Sequence, residues 1–287
     1  MINPPKCSKL GSLNALYEAL GTKIQSNIKY EYDKVLDIRP FHPEAHLQLI
    51  DYYLENNMDQ DAILLLQKLI NLTPEWPLIQ KLFKSFEKSH GINKKDYSFD
   101  PMTMLSICLI VKNEEKNIGR CLSSLSQIKN KEIIIVDTGS DDKTKIIANQ
   151  YQVKIIDHKW NNDFSDARNI AMEYARGDWV LILDADEELA PNSFQNLKTD
   201  MMRQNIIGYR LPLENVGSPL HGVNYVPRLF RNSPGLYFIG KIHETIYASL
   251  IVAAEQWNMK QCIGSTKILH HGYQPDQIKI KDKIKRN

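Results

Sequence analysis

Two carboxylates one residue apart, Asp184 and Asp186, close the apolar run Trp179-Val180-Leu181-Ile182-Leu183. Acids at the end of a buried strand can hold a hard divalent cation, Mg²⁺ or Mn²⁺, and such a cation neutralises the charge that grows on a departing diphosphate. Unpaired carboxylates beside a core are costly, so structure alone is a poor account of this pair. A second apolar run ends in Ile135-Val136-Asp137-Thr138-Gly139-Ser140. There Asp137 could accept a hydrogen bond from a base imide or a ribose hydroxyl; a plain turn residue is the alternative. Asp141 or Asp142 is placed to cap a helix starting near Lys143. A third run, Leu105 to Val111, enters Lys112-Asn113-Glu114-Glu115, where Asn113 or Glu114 could touch the base or ribose and Glu115 suits the positive end of a helix.

Three further segments carry groups that could bind or react. Trp160-Asn161-Asn162-Asp163-Phe164-Ser165-Asp166-Ala167-Arg168-Asn169 presents Arg168, whose planar fork suits a pair of phosphate oxygens; pairing with Asp163 or Asp166 is the structural alternative. Gly240-Lys241-Ile242-His243-Glu244 offers two candidate bases. Glu244 is favoured because a carboxylate is ionised at neutral pH without tuning, while His243 competes or orients it. His270-His271-Gly272-Tyr273 follows an apolar strand read as Thr266 to Leu269. His271, or His270 in its place, could complete a metal shell or bind diphosphate.

Such groups need elements to hold them. From about residue 28 to 90 the apolar residues recur at helical spacing, as in Ala62, Ile63, Leu65, Leu66, Leu69 and Ile70. Leu36, Ile38, Pro40 and Pro43 return as Ile70, Leu72, Pro74 and Pro77, a shift of 34 residues, which is the tetratricopeptide period. Asn56-Asn57 stands where that repeat usually has a turn glycine, and a plain helical hairpin is the other reading. After a polar stretch, short Ile- and Val-rich runs alternate with helical stretches: Met104 to Val111, Glu132 to Val136, Gln152 to Ile156 and Trp179 to Leu183. Alternating strands and helices predict a mostly parallel α/β sheet with ligands at the carboxyl ends of its strands. The expected organisation is an extension at 1–27, a small all-α helical domain at 28–90, a linker at 91–102, an α/β domain at 103–275 and a basic tail at 276–287.

With 287 residues, 43% of them hydrophobic, the chain can bury a sizeable core. A net charge of +2 gives no field that argues for nucleic acid. Cys7, Cys108, Cys121 and Cys262 form no CxxC pair, which fits a reduced compartment. The start, Met1-Ile2-Asn3-Pro4-Pro5, has no basic region before an apolar stretch, and no run of about 18 apolar residues occurs. A cytoplasmic location is expected, with any membrane attachment made through a partner.

The order KNE, VDTGSDDKT, DFSDARN and DADEE resembles the inverting glycosyltransferase family 2, of GT-A fold, over about residues 103 to 275. The WxxDFSxARN segment and the RLFR (Arg228 to Arg231) and HE (His243-Glu244) pair are similar to its small bacterial members, among them lipopolysaccharide core glucosyltransferases and peptide S-glycosyltransferases. The resemblance implies a mixed, mostly parallel sheet flanked by helices and a UDP-sugar donor. It implies that Asp137 contacts the base, Asp184 the ribose or metal, and Asp186 the metal and diphosphate, with Glu244 as the base. No Gln-x-x-Arg-Trp motif of processive synthases is present, so a single transfer is expected. The acceptor is left open among a lipid-linked glycan, a peptide and a protein, and the tetratricopeptide-like helices offer a place for a protein partner. An interaction module with an inactive transferase-like domain is the alternative; the presence of Asp184, Asp186 and Glu244 together argues against it. A nucleotidyltransferase would carry a Gly-rich, Arg-containing loop where Lys112-Asn113-Glu114-Glu115 stands.

Overall fold

The computed structural model describes residues 28–90, 104–217 and 222–272. The expected extension, linker and basic tail lie outside these. Four helices come first: α1 (Ile28–Ile38), α2 (Pro43–Glu55), α3 (Asp59–Leu72) and α4 (Pro77–His90). The 34-residue shift maps α1 onto α3 and α2 onto α4, with Pro43 and Pro77 opening the second helix of each pair. Proline suits that position because a first-turn N–H has no partner within the helix. His42 caps α2 by accepting from the Ala45 amide at 3.3 Å. Asn57, at φ 58°, makes the left-handed turn where a glycine was expected. Ile50, Ala62, Leu66, Leu69, Ile79 and Phe83 fill the space between the helices.

Two of the three inter-helix turns of this segment, α1–α2 and α3–α4, dock on the α/β unit. In the first turn Phe41 stands edge-on to Trp257 at 5.6 Å, and Arg39 Nη1 donates to the Met172 carbonyl at 3.4 Å. In the α3–α4 turn, Asn258 Nδ2 donates to the Glu75 carbonyl at 2.7 Å and Trp76 packs against the same apolar cluster. Phe41 and Glu75 are one repeat apart, so equivalent turns make the two halves of one seam.

The α/β unit is a nine-stranded mixed sheet of β1 (Leu105–Val111), β2 (Lys131–Asp137), β3 (Lys154–Asp157), β4 (Trp179–Ile182), β5 (Glu187–Leu189), β6 (Ile206–Asn215), β7 (Val223–Arg231), β8 (Lys260–Ile263) and β9 (Ile268–His270), in the order β3-β2-β1-β4-β7-β6-β9-β5 with β8 paired to β6. Strands β1, β2, β3 and β4 run parallel. Their register aligns Val111, Asp137 and Asp157, so their carboxyl ends share one edge. Strand β1 is buried almost throughout, as expected for a parallel strand covered on both faces. Leu105, Ile107 and Leu109 pack on one face, under α5 (Ile118–Ser124) and α8 (Ser193–Met202). Cys108, Ile134 and Val180 pack on the other, against α7 (Phe164–Glu173) and α9 (Tyr247–Gln256). Helix α6 (Thr144–Ala148) follows β2.

Strand β7 runs antiparallel to both β4 and β6, while β6 runs parallel to β8 and β9. The last strand begins later than the sequence reading placed it. Thr266 is drawn out of it by Asp200, whose Oδ2 accepts from the Thr266 amide and hydroxyl at 3.1 and 2.8 Å.

Candidate functional site

A cleft of about 540 Å³ opens at the carboxyl ends of β1, β2 and β4. Glu114, Arg168, Asp184, Asp186 and Glu244 all line it, together with Trp160 and Phe164, whose rings meet edge to face at 4.8 Å. Asn113, Asp137, His243, His270 and His271 are not among its lining residues, although Thr138 and Asp186, the neighbours of Asp137 and His270, are.

The loop after β2 is tied to the end of β1. Asn113, at φ 56°, donates its amide to Ser140 Oγ at 2.9 Å and accepts the Asp141 amide on Oδ1 at 3.0 Å. Asn113 thus fastens the two loops together. Glu114 accepts from Asn117 Nδ2 at 2.8 Å. Asp142 lies one residue before the N-cap Lys143 and accepts the Thr144 amide at 2.8 Å, while Glu115 accepts the Lys143 amide at 3.1 Å. Asp137 is 1% exposed. Its Oδ1 accepts the amides of Gly139 and Ser140 at 2.9 and 2.8 Å, the turn role, yet its Oδ2 is buried with no partner. A buried carboxylate oxygen without a donor is rare in a folded protein and is satisfied when a ligand supplies an N–H or O–H.

Helix α7 grips the loop that carries Glu244. Asp163 caps it, accepting the Asp166 amide at 3.1 Å, and the Phe164 amide donates to the Lys241 carbonyl at 3.0 Å. One turn on, Asn169 exchanges two hydrogen bonds with the Phe238 backbone at 3.0 and 2.8 Å. Ile239 and Thr245 exchange amide bonds at 2.9 Å, which closes the loop between them. Arg168 is therefore held at the cleft and does not pair with Asp163 or Asp166. Its Nη2 donates to Asp184 Oδ1 at 2.6 Å and its Nε to Glu244 Oε1 at 3.1 Å. Its Nη1 is buried without a partner, on a residue only 4% exposed.

Sequence reasoning assigned no role to Glu187 or Arg228, which complete this network. Arg228 Nη2 donates to Asp184 Oδ2 at 2.8 Å and to Glu187 Oε1 at 2.7 Å. Burial opposes the ionised form of Asp184, but Arg168 and Arg228 outweigh it and hold its carboxyl well below the usual range. Burial pushes the Glu187 carboxyl up to about 7 against the pull of Arg228, with the Asp184 carboxylate adding to the rise. Burial pulls the Arg228 guanidinium down, but Glu187 and Asp184 together outweigh it and raise it.

Strand pairing selects between the two histidines. Glu187 lies opposite His270 in the β5–β9 register, which puts His270 Nε2 3.3 Å from Asp186 Oδ2. The hydrogen bond to Asp186 outweighs burial and raises the His270 pKa. His271 turns the other way, with Nε2 2.8 Å from Glu188 Oε1. His271, read as the metal ligand with His270 as its alternative, thus faces Glu188, and His270 is the histidine beside Asp186. A Cβ at residue 272 would lie 2.6 Å from both Asp186 Oδ2 and His270 Nε2, so only glycine lets the backbone pass this close to the pair.

Among the described residues no group of three or more His, Cys, Asp or Glu side chains forms a closed metal cage. A carboxylate that lines the cleft, with an imidazole beside it, suits a cation that takes its remaining ligands from water and substrate phosphate, the habit of Mg²⁺ and Mn²⁺. The donor set thus fits such an ion at Asp186 and His270. Both oxygens of Asp184 are already occupied by guanidiniums.

The family model for Glycosyl transferase family 2 matches residues 106–253. A Synechococcus elongatus protein named as TPR repeat-containing is 33% identical over 187 residues, covering 64% of this chain and 46% of its own. The SPbeta prophage-derived glycosyltransferase SunS of Bacillus subtilis is 30% identical over 221 residues, covering 73% of this chain and 46% of its own. The chain thus spans about half the length of either relative. Among solved structures, TarS of S. aureus is similar with a TM-score of 0.46 and 17% identity, over 58% of this chain and 57% of that one. With more than half of its residues matched by the family model, and a mixed sheet flanked by helices as expected of GT-A, the chain belongs to glycosyltransferase family 2.

Proposed function

We propose that the chain is an inverting, non-processive glycosyltransferase that moves a sugar from a nucleotide donor, a UDP-sugar by preference, to an acceptor hydroxyl or thiol with the help of Mg²⁺ or Mn²⁺. The carrying observation is the pair of buried, unpartnered polar atoms Asp137 Oδ2, at the end of β2, and Arg168 Nη1, on α7. The first asks for a hydrogen-bond donor and the second for an anion, the two ends of a nucleoside diphosphate.

In this reading Asp137 accepts from the base and Arg168 donates Nη1 to a diphosphate oxygen. Asp186 and His270 hold the cation, which when bound offsets the charge that builds on the diphosphate as the sugar departs. Glu244 takes the acceptor proton as the acceptor oxygen or sulfur attacks the anomeric carbon. Its Oε1 is held by Arg168 Nε, so one guanidinium links the diphosphate end of the cleft to the base. His243 is exposed, at φ 57°, which leaves Glu244 as the base lining the cleft. Trp160 and Phe164 supply an aromatic wall.

Names of the relatives support this reading: SunS is named a glycosyltransferase, and the Synechococcus protein bears the repeat in its name, which favours a protein or peptide partner at the helices. No helix among the described residues is long and apolar enough to cross a membrane. Calorimetry with UDP and Mn²⁺ tests the proposal. Arg168→Met and Asp137→Asn are each expected to weaken binding about tenfold or more, the worth of one charge-assisted hydrogen bond. Wild-type affinity in both variants would refute it.

A further inference from the structure

Glu187 and Arg228 touch no reacting group in the mechanism above, yet they are built into its floor. The Glu187 carboxylate is 1% exposed and spans two partners. Oε2 accepts the Asp184 amide at 2.9 Å, while the Glu187 amide returns a 2.9 Å bond to the Asp184 carbonyl. This closed pair of bonds fixes the turn Asp184-Ala185-Asp186-Glu187 at the end of β4. Oε1 accepts from Arg228 Nη2, the same nitrogen that donates to Asp184 Oδ2. Arg228 reaches across from β7, whose antiparallel pairing with β4 sets its distance. The turn is thereby held through its backbone by Glu187 and through a side chain by Arg228.

A buried ion pair of this kind is weak evidence of a stabilising role, because well-packed apolar residues often serve as well. What the pair supplies here is direction. With Oδ2 on Arg228 and Oδ1 on Arg168, the Asp184 carboxylate has one orientation, and Arg168 in that orientation also reaches Glu244. We propose that Glu187 and Arg228 are positioning residues of the donor site: they lock the Asp184–Asp186 turn and, through Asp184, hold Arg168 in place for the diphosphate. This rests on the transferase reading above.

The charge-balanced double variant E187Q/R228M removes both members and leaves no extra buried charge on this pair. Its UDP affinity with Mn²⁺ is measured by calorimetry beside wild type, R228K and E187Q, with folding followed by circular dichroism and the donor KM and kcat by nucleoside diphosphate release. The double variant is expected to fold, to bind UDP with Mn²⁺ at least tenfold more weakly and to show a raised donor KM. R228K, which keeps the charge but not the fork, is expected to recover part of that loss. Wild-type affinity and KM in the folded double variant overturn the inference while leaving the transferase reading intact. Absence of UDP binding in wild type overturns both. Should the double variant fail to fold, the decision passes to R228K, for which about threefold weaker binding is expected and unchanged binding overturns the inference.

Discussion

The helical segment and the cleft are joined by one seam but built on opposite principles. Between the helices, Leu66, Leu69 and Ile79 are wholly buried, and the order of the segment comes from a repeated apolar spacing. In the cleft, Asp184, Glu187, Arg168, Arg228 and Glu244 form a chain of charges in which each guanidinium serves two carboxylates. Apolar packing tolerates loss in proportion to the volume removed, whereas a charge chain fails at any link. Damage to the first should therefore appear as stability, and damage to the second as binding and turnover.

The sharpest separation is expected at Glu244. Glu244→Gln keeps an oxygen for Arg168 Nε but removes the base, so kcat should fall by about 10²–10⁴-fold with donor KM nearly unchanged; a variant with wild-type kcat would assign the base elsewhere. Leu66→Ala should do the reverse, costing about 2–5 kcal/mol by thermal or urea unfolding while leaving UDP affinity intact. Loss of UDP binding in the folded variant would show that the two regions are not separable in this way.

A smaller effect concerns pH. Burial, with Lys68 adding, lowers the His46 pKa to about 3 from 6.5. As pH falls through 6.5 the unfolded chain takes up this proton first, so stability present at neutral pH drains away between about 6.5 and 3. One proton limits the slope to about 1.4 kcal/mol per pH unit. His46→Asn retains a donor for the His42 carbonyl and should flatten the dependence of Tm on pH between 7 and 4; equal slopes would exclude His46 as the source. Smallest of all is Lys260→Ala at the seam. Its pair with Glu75 is exposed on both sides, and its loss should move stability by less than about 1 kcal/mol.

The contrast also explains what could be read from the sequence. Pro43 and Pro77 announced the repeat because helix starts are local events, and each does open a helix. Asp184 and Asp186 were legible because they end an uninterrupted apolar run. Glu187, though adjacent, was not: its partner Arg228 lies 41 residues away on β7, and nothing local marks that pairing. His270 and His271 could not be told apart because the β5–β9 register decides which one faces Asp186, and β5 has only three residues, Glu187–Leu189. Arg168 was read as a phosphate ligand or a partner of Asp163 or Asp166, while its actual partners, Asp184 and Glu244, lie 16 and 76 residues away.

The most direct test of a metal-assisted nucleotide-sugar transferase is donor turnover. The protein would be incubated with a panel of UDP-, GDP- and dTDP-sugars and Mn²⁺, with and without chelator, beside Asp186→Ala. Release of nucleoside diphosphate from one donor, falling about 10³-fold with chelator and in the variant, is the predicted result. A panel left intact, with no donor bound by calorimetry, or turnover indifferent to both chelator and Asp186→Ala, would contradict it.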